Sequence, residues 1–181
     1  MALTDDAILA MFREPSSRNK AFDLLVKKYQ EQLYWVIRRL VIDHEDTNDL
    51  IQNVFIKVWN NLGNFREDSK LFTWLYRIAV NESLGFLSSK RMKLFIPLID
   101  VEKQLSQSLT DDNFFDGNEI QLKLQKALLT LPEKQRAVFN LRYYDEMPYE
   151  KMSEVFGTSV GALKASYHLA MKKVEKYLLG N

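Results

Sequence analysis

Between Leu131 and Leu178 the chain reads LPEKQRAVFNLRYYDEMPYEKMSEVFGTSVGALKASYHLAMKKVEKYL, and the turn Gly157-Thr158-Ser159 restricts its fold most. Glycine supplies the left-handed backbone that a sharp helix–helix turn needs. A serine just before a helix accepts a hydrogen bond from one of the helix's free N–H groups. Together they stop one helix and start the next within three residues. Upstream, Pro132 and Pro148 each suit the first turn of a helix. Downstream, no glycine or proline interrupts the lysine-rich run from Ala162 to Leu179. Short helix, short helix, tight turn and long basic helix is the order of a helix-turn-helix. The second helix of that motif lies in the DNA major groove.

The rest of the chain also reads as helices. Phe22, Leu25, Val26, Tyr29, Leu33, Val36, Ile37 and Leu40 recur at the three-and-four spacing of one helix face. The acidic stretch Asp43 to Asp49 suits the start of a second helix. Leu50, Ile51, Val54, Phe55, Val58, Trp59 and Leu62 line one side of it, and Gly63-Asn64 ends it. After a polar loop from Phe65 to Lys70, a third amphipathic helix spans about Leu71 to Leu87. In the last third, Leu122, Leu124, Leu128, Leu129 and Leu131 form one apolar stripe. Val138, Phe139 and Leu141 form another, and Met152, Val155 and Phe156 a third. Strand-like alternation is absent. The expected fold is all-α, with two small helical domains joined by a flexible linker, the C-terminal one a helix-turn-helix. From about Ser88 to Asn118 the periodicity lapses, in a run too long for an ordinary loop. That run is either a solvated connector or a segment that orders only in a complex, with Phe114 and Phe115 as docking residues.

Composition excludes several classes of function. The chain has 181 residues, of which 46% are hydrophobic, and no cysteine. That is enough for a core, and it rules out disulfides, thiolate zinc sites and a cysteine nucleophile. The N-terminus MALTDDAILAMFREP lacks the layout of a signal peptide. No apolar run reaches the roughly 18 residues of a membrane span. A cytoplasmic protein without direct membrane insertion is expected. No phosphate loop, dinucleotide fingerprint, HExxH pattern or nucleophile elbow occurs. His44 and His168 lie far apart. Asp46 and Asp49 are explained by their place at a helix start. No catalytic residue, metal or cofactor is expected. The net charge of +1 hides a pattern: +2 over residues 1–99, −5 over 100–119 and +4 over 120–181.

Three surfaces are candidates for binding. In the terminal helix, Val160, Leu163, Tyr167, Ala170 or Met171, Val174 and Leu178 make a packing stripe. Gly161, Lys164, Ala165, Ser166 and His168 are then left to meet base edges and phosphates. Lys172, Lys173 and Lys176 lie further along, against phosphate or solvent; phosphate contacts give affinity without sequence reading. A long basic helix also ends many proteins that bind no DNA. The second surface is the segment Phe65 to Asn81, where aromatics alternate with Arg66, Lys70 and Arg77. Rings stack on unpaired bases and cations follow the backbone; Trp74 and Ile78, four apart, read as ordinary core, whereas Phe65 sits among polar residues in the loop. The third is the helix from Asp49 to Trp59, which exposes Gln52, Asn53, Lys57 and Asn60 and partly exposes Phe55 and Trp59. It is a plain surface helix or a face for a protein partner.

Three blocks, DLIQNVFIKVWNNLGNF (Asp49–Phe65), FREDSKLFTWLYRIAVNESLGFL (Phe65–Leu87) and the run from Leu131 to Leu178, resemble in order and spacing the extracytoplasmic-function (ECF) sigma factors. These belong to the sigma-70 family of bacterial RNA polymerase initiation factors. The resemblance implies sigma region 2 in residues 1–92, an acidic linker in 93–119 and sigma region 4 in 120–181. It implies an alternative sigma factor, not an enzyme, that binds core RNA polymerase, recognises promoters and initiates transcription without ATP or any cofactor. Asp49, Gln52, Asn53, Phe55, Ile56 and Trp59 would meet the β′ clamp helices, and region 4 the β flap. Phe65, Arg66, Ser69, Lys70, Thr73, Trp74, Arg77 and Asn81 would hold the minus-10 element as single strand, with a flipped base near Phe65 and Asn81. Ser159, Gly161, Lys164, Ala165, Ser166, His168 and Lys172 would read the minus-35 duplex. The linker, with Asp111, Asp112 and Asp116, would thread the polymerase channels. A membrane-associated anti-sigma factor is the implied regulator, and a monomer the implied free state.

The chain departs from the family pattern in places. Many relatives carry arginine where this chain has Ser166 and Leu169, and a small hydroxyl residue where it has Ala165. Gly85 costs up to about 1 kcal/mol inside a helix. Two rivals fit part of the pattern. A stand-alone helix-turn-helix repressor or activator would bind duplex DNA as a dimer and has no use for the Trp74 segment. A sigma-like mimic would sequester an anti-sigma factor and leave DNA alone.

Overall fold

The computed structural model describes residues 3–94, 107 and 119–180, and every element among them is helical. They are α1 (Asp5–Arg13), α2 (Arg18–Val41), α3 (His44–Leu62) and α4 (Leu71–Leu94), then α5 (Glu119–Leu129), α6 (Glu133–Tyr143), α7 (Tyr149–Phe156) and α8 (Val160–Leu179). Most of the linker, including Asp111, Asp112, Phe114, Phe115 and Asp116, lies outside the described residues.

The first four helices pack around α2. Leu25, Leu33, Val36, Ile37 and Leu40 are its buried stripe, and α1, α3 and α4 all lie against it. The N-terminal helix α1 carries a short signal of its own. Thr4 caps it through Ala7 N–H at 3.3 Å, and Ile8, Leu9 and Phe12 bury one face, so the signal was confined to nine residues ahead of Pro15. Asp43 caps α3 by accepting from Asp46 N–H at 2.9 Å. Between α2 and α3 stands Ile42, with φ 70° and ψ −46°. A β-branched residue at positive φ is strained, by about 1–3 kcal/mol. Its side chain is buried beside Leu129 of α5.

The fourth helix is longer than the sequence periodicity implies. It runs past Leu87 to Leu94 and absorbs the first residues assigned to the connector. Lys90 anchors this extension, its Nζ lying 2.6 Å from Asp46 on α3. The turn that contains Gly85 continues without interruption.

The last four helices form the second unit. Ala127, Leu128, Leu131, Phe139, Ala170 and Val174 make its own core. It also shares a core with the first unit: Ala137, Val138, Leu141, Met147, Met152, Val155 and Leu163 join the buried cluster around α2 and α4. The two units are thus packed on one another, with α6 against α2 and α7 against α4.

Nothing in the structure explains glycine at 85, since a Cβ there would meet no atom within 4 Å. Gly85→Ala is therefore expected to raise stability by about 0.5–1 kcal/mol. Urea denaturation would show it as a higher midpoint with unchanged slope; a lower midpoint would mean that the glycine is required.

Candidate functional site

The helix-turn-helix forms as its turn residues dictate. Gly157 closes α7 in the left-handed conformation, φ 62° and ψ 33°, with its N–H donating to Ser153 O. Ser153 Oγ donates to Thr158 O at 2.7 Å and ties the turn. Ser159 then caps α8, accepting from Ala162 N–H at 3.2 Å. Leu163, Ala170 and Val174 face inward, and Tyr167 stacks on Phe139 with ring centroids 5.6 Å apart. Of the expected packing stripe only Met171 turns outward.

That packing leaves the expected reading face in solvent. Ser159, Gly161, Lys164, Ala165, His168 and Lys172 are exposed, and Ser166 is half-buried. Lys164 Nζ lies 5.7 Å from the Tyr149 ring centroid, which helps to hold the ammonium at the start of the helix. Leu169 shares the exposed side at 52% accessibility, so it is no core residue. An apolar group there suits a thymine methyl better than a guanine edge.

A second constellation surrounds the loop before α4. A cavity of about 280 Å³ is lined by Asn61, Asn64, Phe65, Arg66, Asp68, Ser69, Trp74 and Arg77. The Phe65 and Trp74 rings stand 5.1 Å apart, tilted by 43°, at its wall. Its volume is just below the roughly 300 Å³ where small-molecule sites begin. Five expected residues meet here: Phe65, Arg66, Ser69, Trp74 and Arg77. Lys70 instead lines an adjoining polar cleft, with Asp5, Asp6 and Lys151 among its other walls. Asn81 is exposed, but it does not line the cavity. Thr73 corrects an expectation: it is fully buried, so it is part of the packing under the surface and cannot touch a strand. Its register explains this, because Thr73 shares the inward side of α4 with Tyr76 and Val80. Asn61 and Asn64 were missed, although the polar residues flanking Gly63 were their signal, while Asp68 lies in the loop Arg66 to Lys70 that was expected to line the pocket.

A third surface is an open apolar groove of about 930 Å³ between α2 and α3. Gln52, Phe55, Ile56 and Trp59 line it from α3, and Phe22, Val26 and Tyr34 from α2. Phe22 meets Trp59 edge-on at 5.0 Å, and the Arg18 guanidinium lies 5.0 Å from the Trp59 ring centroid. Ile56 stands 58% exposed. Asp49 and Asn53 are exposed on α3 outside the groove lining. Phe22 and Val26 of the α2 wall escaped sequence reasoning because they belong to the apolar stripe of that helix, and Tyr34 because it lies outside the stripe.

Among the described residues no helix is long and apolar enough to cross a membrane, and no group of three or more His, Asp or Glu is placed to hold a metal ion.

Comparison with known proteins gives two family matches: "Sigma-70 region 2" over residues 25–92 and "Sigma-70, region 4" over residues 121–174. The chain is 33% identical to the RNA polymerase sigma-H factor of Pseudomonas aeruginosa, over 88% of its own length and 86% of that protein's. It is 29% identical to the ECF RNA polymerase sigma-E factor of Escherichia coli, over 96% and 93%. Among solved structures, CnrH in complex with the cytosolic domain of CnrY shares the fold at TM-score 0.69 and 22% identity, with 98% of each chain covered. The sigma factor RpoE in complex with the anti-sigma factor NepR, from Bartonella quintana, does so at TM-score 0.67 and 20% identity, over 88% of this chain and 97% of that one.

Ser159→Ala removes the α8 cap and is expected to cost about 1 kcal/mol. Chemical denaturation measures it; a loss below a few tenths would mean that the cap does not form in solution.

Proposed function

From the premise that this chain belongs to the sigma-70 family, as an ECF-type alternative sigma factor of transcription initiation, we propose how its surfaces divide the work. Sigma factors are initiation factors that bind RNA polymerase and promoter DNA. Residues 1–92 act as the polymerase-binding and minus-10 unit, 120–181 as the minus-35 unit and 93–119 as the connector between them. The protein works in the cytoplasm, is monomeric when free and answers to a membrane-associated anti-sigma factor. In support of a protein regulator, RpoE is seen in complex with the anti-sigma factor NepR, and CnrH in complex with the cytosolic domain of CnrY.

The observation that carries this reading is the cavity of Phe65, Arg66, Ser69, Trp74 and Arg77. Extracting a base from its stack costs a few kcal/mol. An aromatic wall offsets that by stacking, at about 1–3 kcal/mol per base. The two arginines at the rim supply charge to neighbouring phosphates. A helix-turn-helix that only grips duplex DNA has no need of such a cavity. Core polymerase docks through its β′ clamp helices on the α2–α3 groove, where exposed Ile56 and half-buried Phe55 and Trp59 offer the apolar anchors of an interface. Asp49 and Asn53 supply its polar rim. The exposed face from Ser159 to Lys172 reads the minus-35 duplex while region 4 rests on the β flap.

Reconstituted transcription tests this. On DNA from upstream of its own gene, specific transcripts are expected only when core polymerase and this chain are both present. Sequence-specific binding by the chain alone, with no transcript, would establish a repressor instead. Two variants separate the surfaces. Ile56→Ala is expected to weaken polymerase binding about tenfold or more, with stability changed by less than about 0.5 kcal/mol. Lys164→Ala is expected to weaken promoter binding by the holoenzyme while leaving polymerase affinity unchanged. Equal loss of both activities in either variant would contradict the assignment.

A further inference from the structure

The outward side of α8 is apolar where a recognition helix reads bases. Its inward direction is fixed by Leu163, Ala170 and Val174, which are 2%, 0% and 4% exposed. A helix turns by about 100° per residue, so the opposite direction falls near Ala165, with Gly161, His168, Leu169 and Lys172 within about 60° of it. All five are exposed. The residues beside them are turned aside. Ser166 is half-buried, and Lys164 leans toward α7, where its Nζ lies 5.7 Å from the Tyr149 ring centroid.

The residues near the start of a recognition helix are the ones that reach base edges. Guanine is marked by a bidentate arginine or lysine, and adenine by a bidentate asparagine or glutamine. No Arg, Asn or Gln occurs anywhere in α8. Of its lysines, Lys164 leans aside, Lys173 donates to Gln135 Oε1 at 3.2 Å, and Lys172 and Lys176 lie in the later turns. His168 can bond a purine N7, but adenine and guanine share that acceptor. What remains at the centre is Ala165 and Leu169, the latter 52% exposed. A leucine in water is ordinary on most surfaces. Here it stands in a helix of four lysines and one glutamate, whose charge calls for an anion. A duplex seated there takes water off the leucine, and the thymine C5-methyl is the apolar group that the major groove displays. Four residues along a helix span about 6 Å, close to two base-pair steps of about 3.4 Å.

We infer, on the strength of the sigma function proposed above, that Ala165 and Leu169 are specificity-determining residues of the minus-35 contact. Each packs on the methyl group of a thymine, the two thymines standing about two steps apart, so the duplex is chosen for A·T pairs at those positions. The lysines supply affinity from phosphates without choosing sequence. A buried methyl changes affinity about fourfold, and separate positions add in free energy, so the two thymines together are worth about fifteenfold.

Holoenzyme assembled from core polymerase and the full chain selects minus-35 duplexes from a library randomised in that element. The recovered sites are expected to hold thymine at two positions about two steps apart. Replacing either thymine by deoxyuridine deletes the methyl alone and is expected to weaken holoenzyme binding about fourfold. In Leu169→Ala that penalty is expected to vanish at one of the two positions and persist at the other. Leu169→Arg is expected to exchange thymine for guanine at the same position, since a guanidinium bonds guanine O6 and N7 together. Leu169 is exposed, so neither variant disturbs the core, and circular dichroism checks the helix. Deoxyuridine bound as tightly as thymine, G·C pairs recovered at both positions, or a deoxyuridine penalty unchanged in Leu169→Ala would overturn the methyl contacts and leave the sigma function standing. Polymerase that gains no promoter selectivity from the chain would overturn the sigma function, and the methyl contacts with it.

Discussion

Burial of one side of α2 is the constraint on which the rest of the structure depends. Its stripe from Leu25 to Leu40 meets α1, α3 and α4, and its end meets α6. At about 25 cal/mol per Å² of apolar surface, a few such side chains outweigh any single capping bond. Because α2 is fixed, α3 can offer the side that flanks its buried stripe as a groove wall and α4 can hold Trp74 at the loop. Each candidate surface of the first unit is the outward remainder of a helix whose inward half packs directly or indirectly on α2.

The candidate binding residues follow from this packing. On α8, Leu163, Ala170 and Val174 are spent on packing, so Lys164, Ala165 and His168 have no alternative to solvent or DNA. On α4, Thr73, Tyr76 and Val80 are inward and Arg77 outward, one residue apart from Tyr76. The aromatic pair Phe65 and Trp74 sits where loop and helix converge, half-buried and half-available. Burial pushes the Tyr76 hydroxyl well above its ordinary pKa, which keeps it neutral beneath this surface. Burial likewise lowers the Arg136 guanidinium to about 10, still charged at neutral pH and still a donor to α2.

Helix existence and facing were legible from the three-and-four spacing, and the α7–α8 turn from Gly157 and Ser159. The sequence failed where the decisive fact is contact between distant segments. Thr73 looked like a polar member of a DNA-binding run, but its register buries it. Two residues of the α2 wall of the groove, Phe22 and Val26, carry no mark that sets them apart from core. Asn81 lies beyond the cavity that Phe65 and Trp74 frame, since the cavity closes on Asn61 and Asn64 from the preceding helix end. The packing of the two units was illegible for the same reason: Arg136 and Asn140 read as ordinary helix residues until α2 stands opposite them. The extension of α4 past Leu87 was hidden because Ser88 and Ser89 weaken the pattern, while the supporting bond from Lys90 to Asp46 spans 44 positions.

The central claim is that this chain carries two DNA contacts that act together only on polymerase. Footprinting on a promoter of its own describes both at once. With core polymerase, protection is expected over two patches about 25 base pairs apart, with permanganate-reactive thymines in the downstream patch. A single protected duplex patch that is unchanged by polymerase, with no reactive thymines, would contradict it.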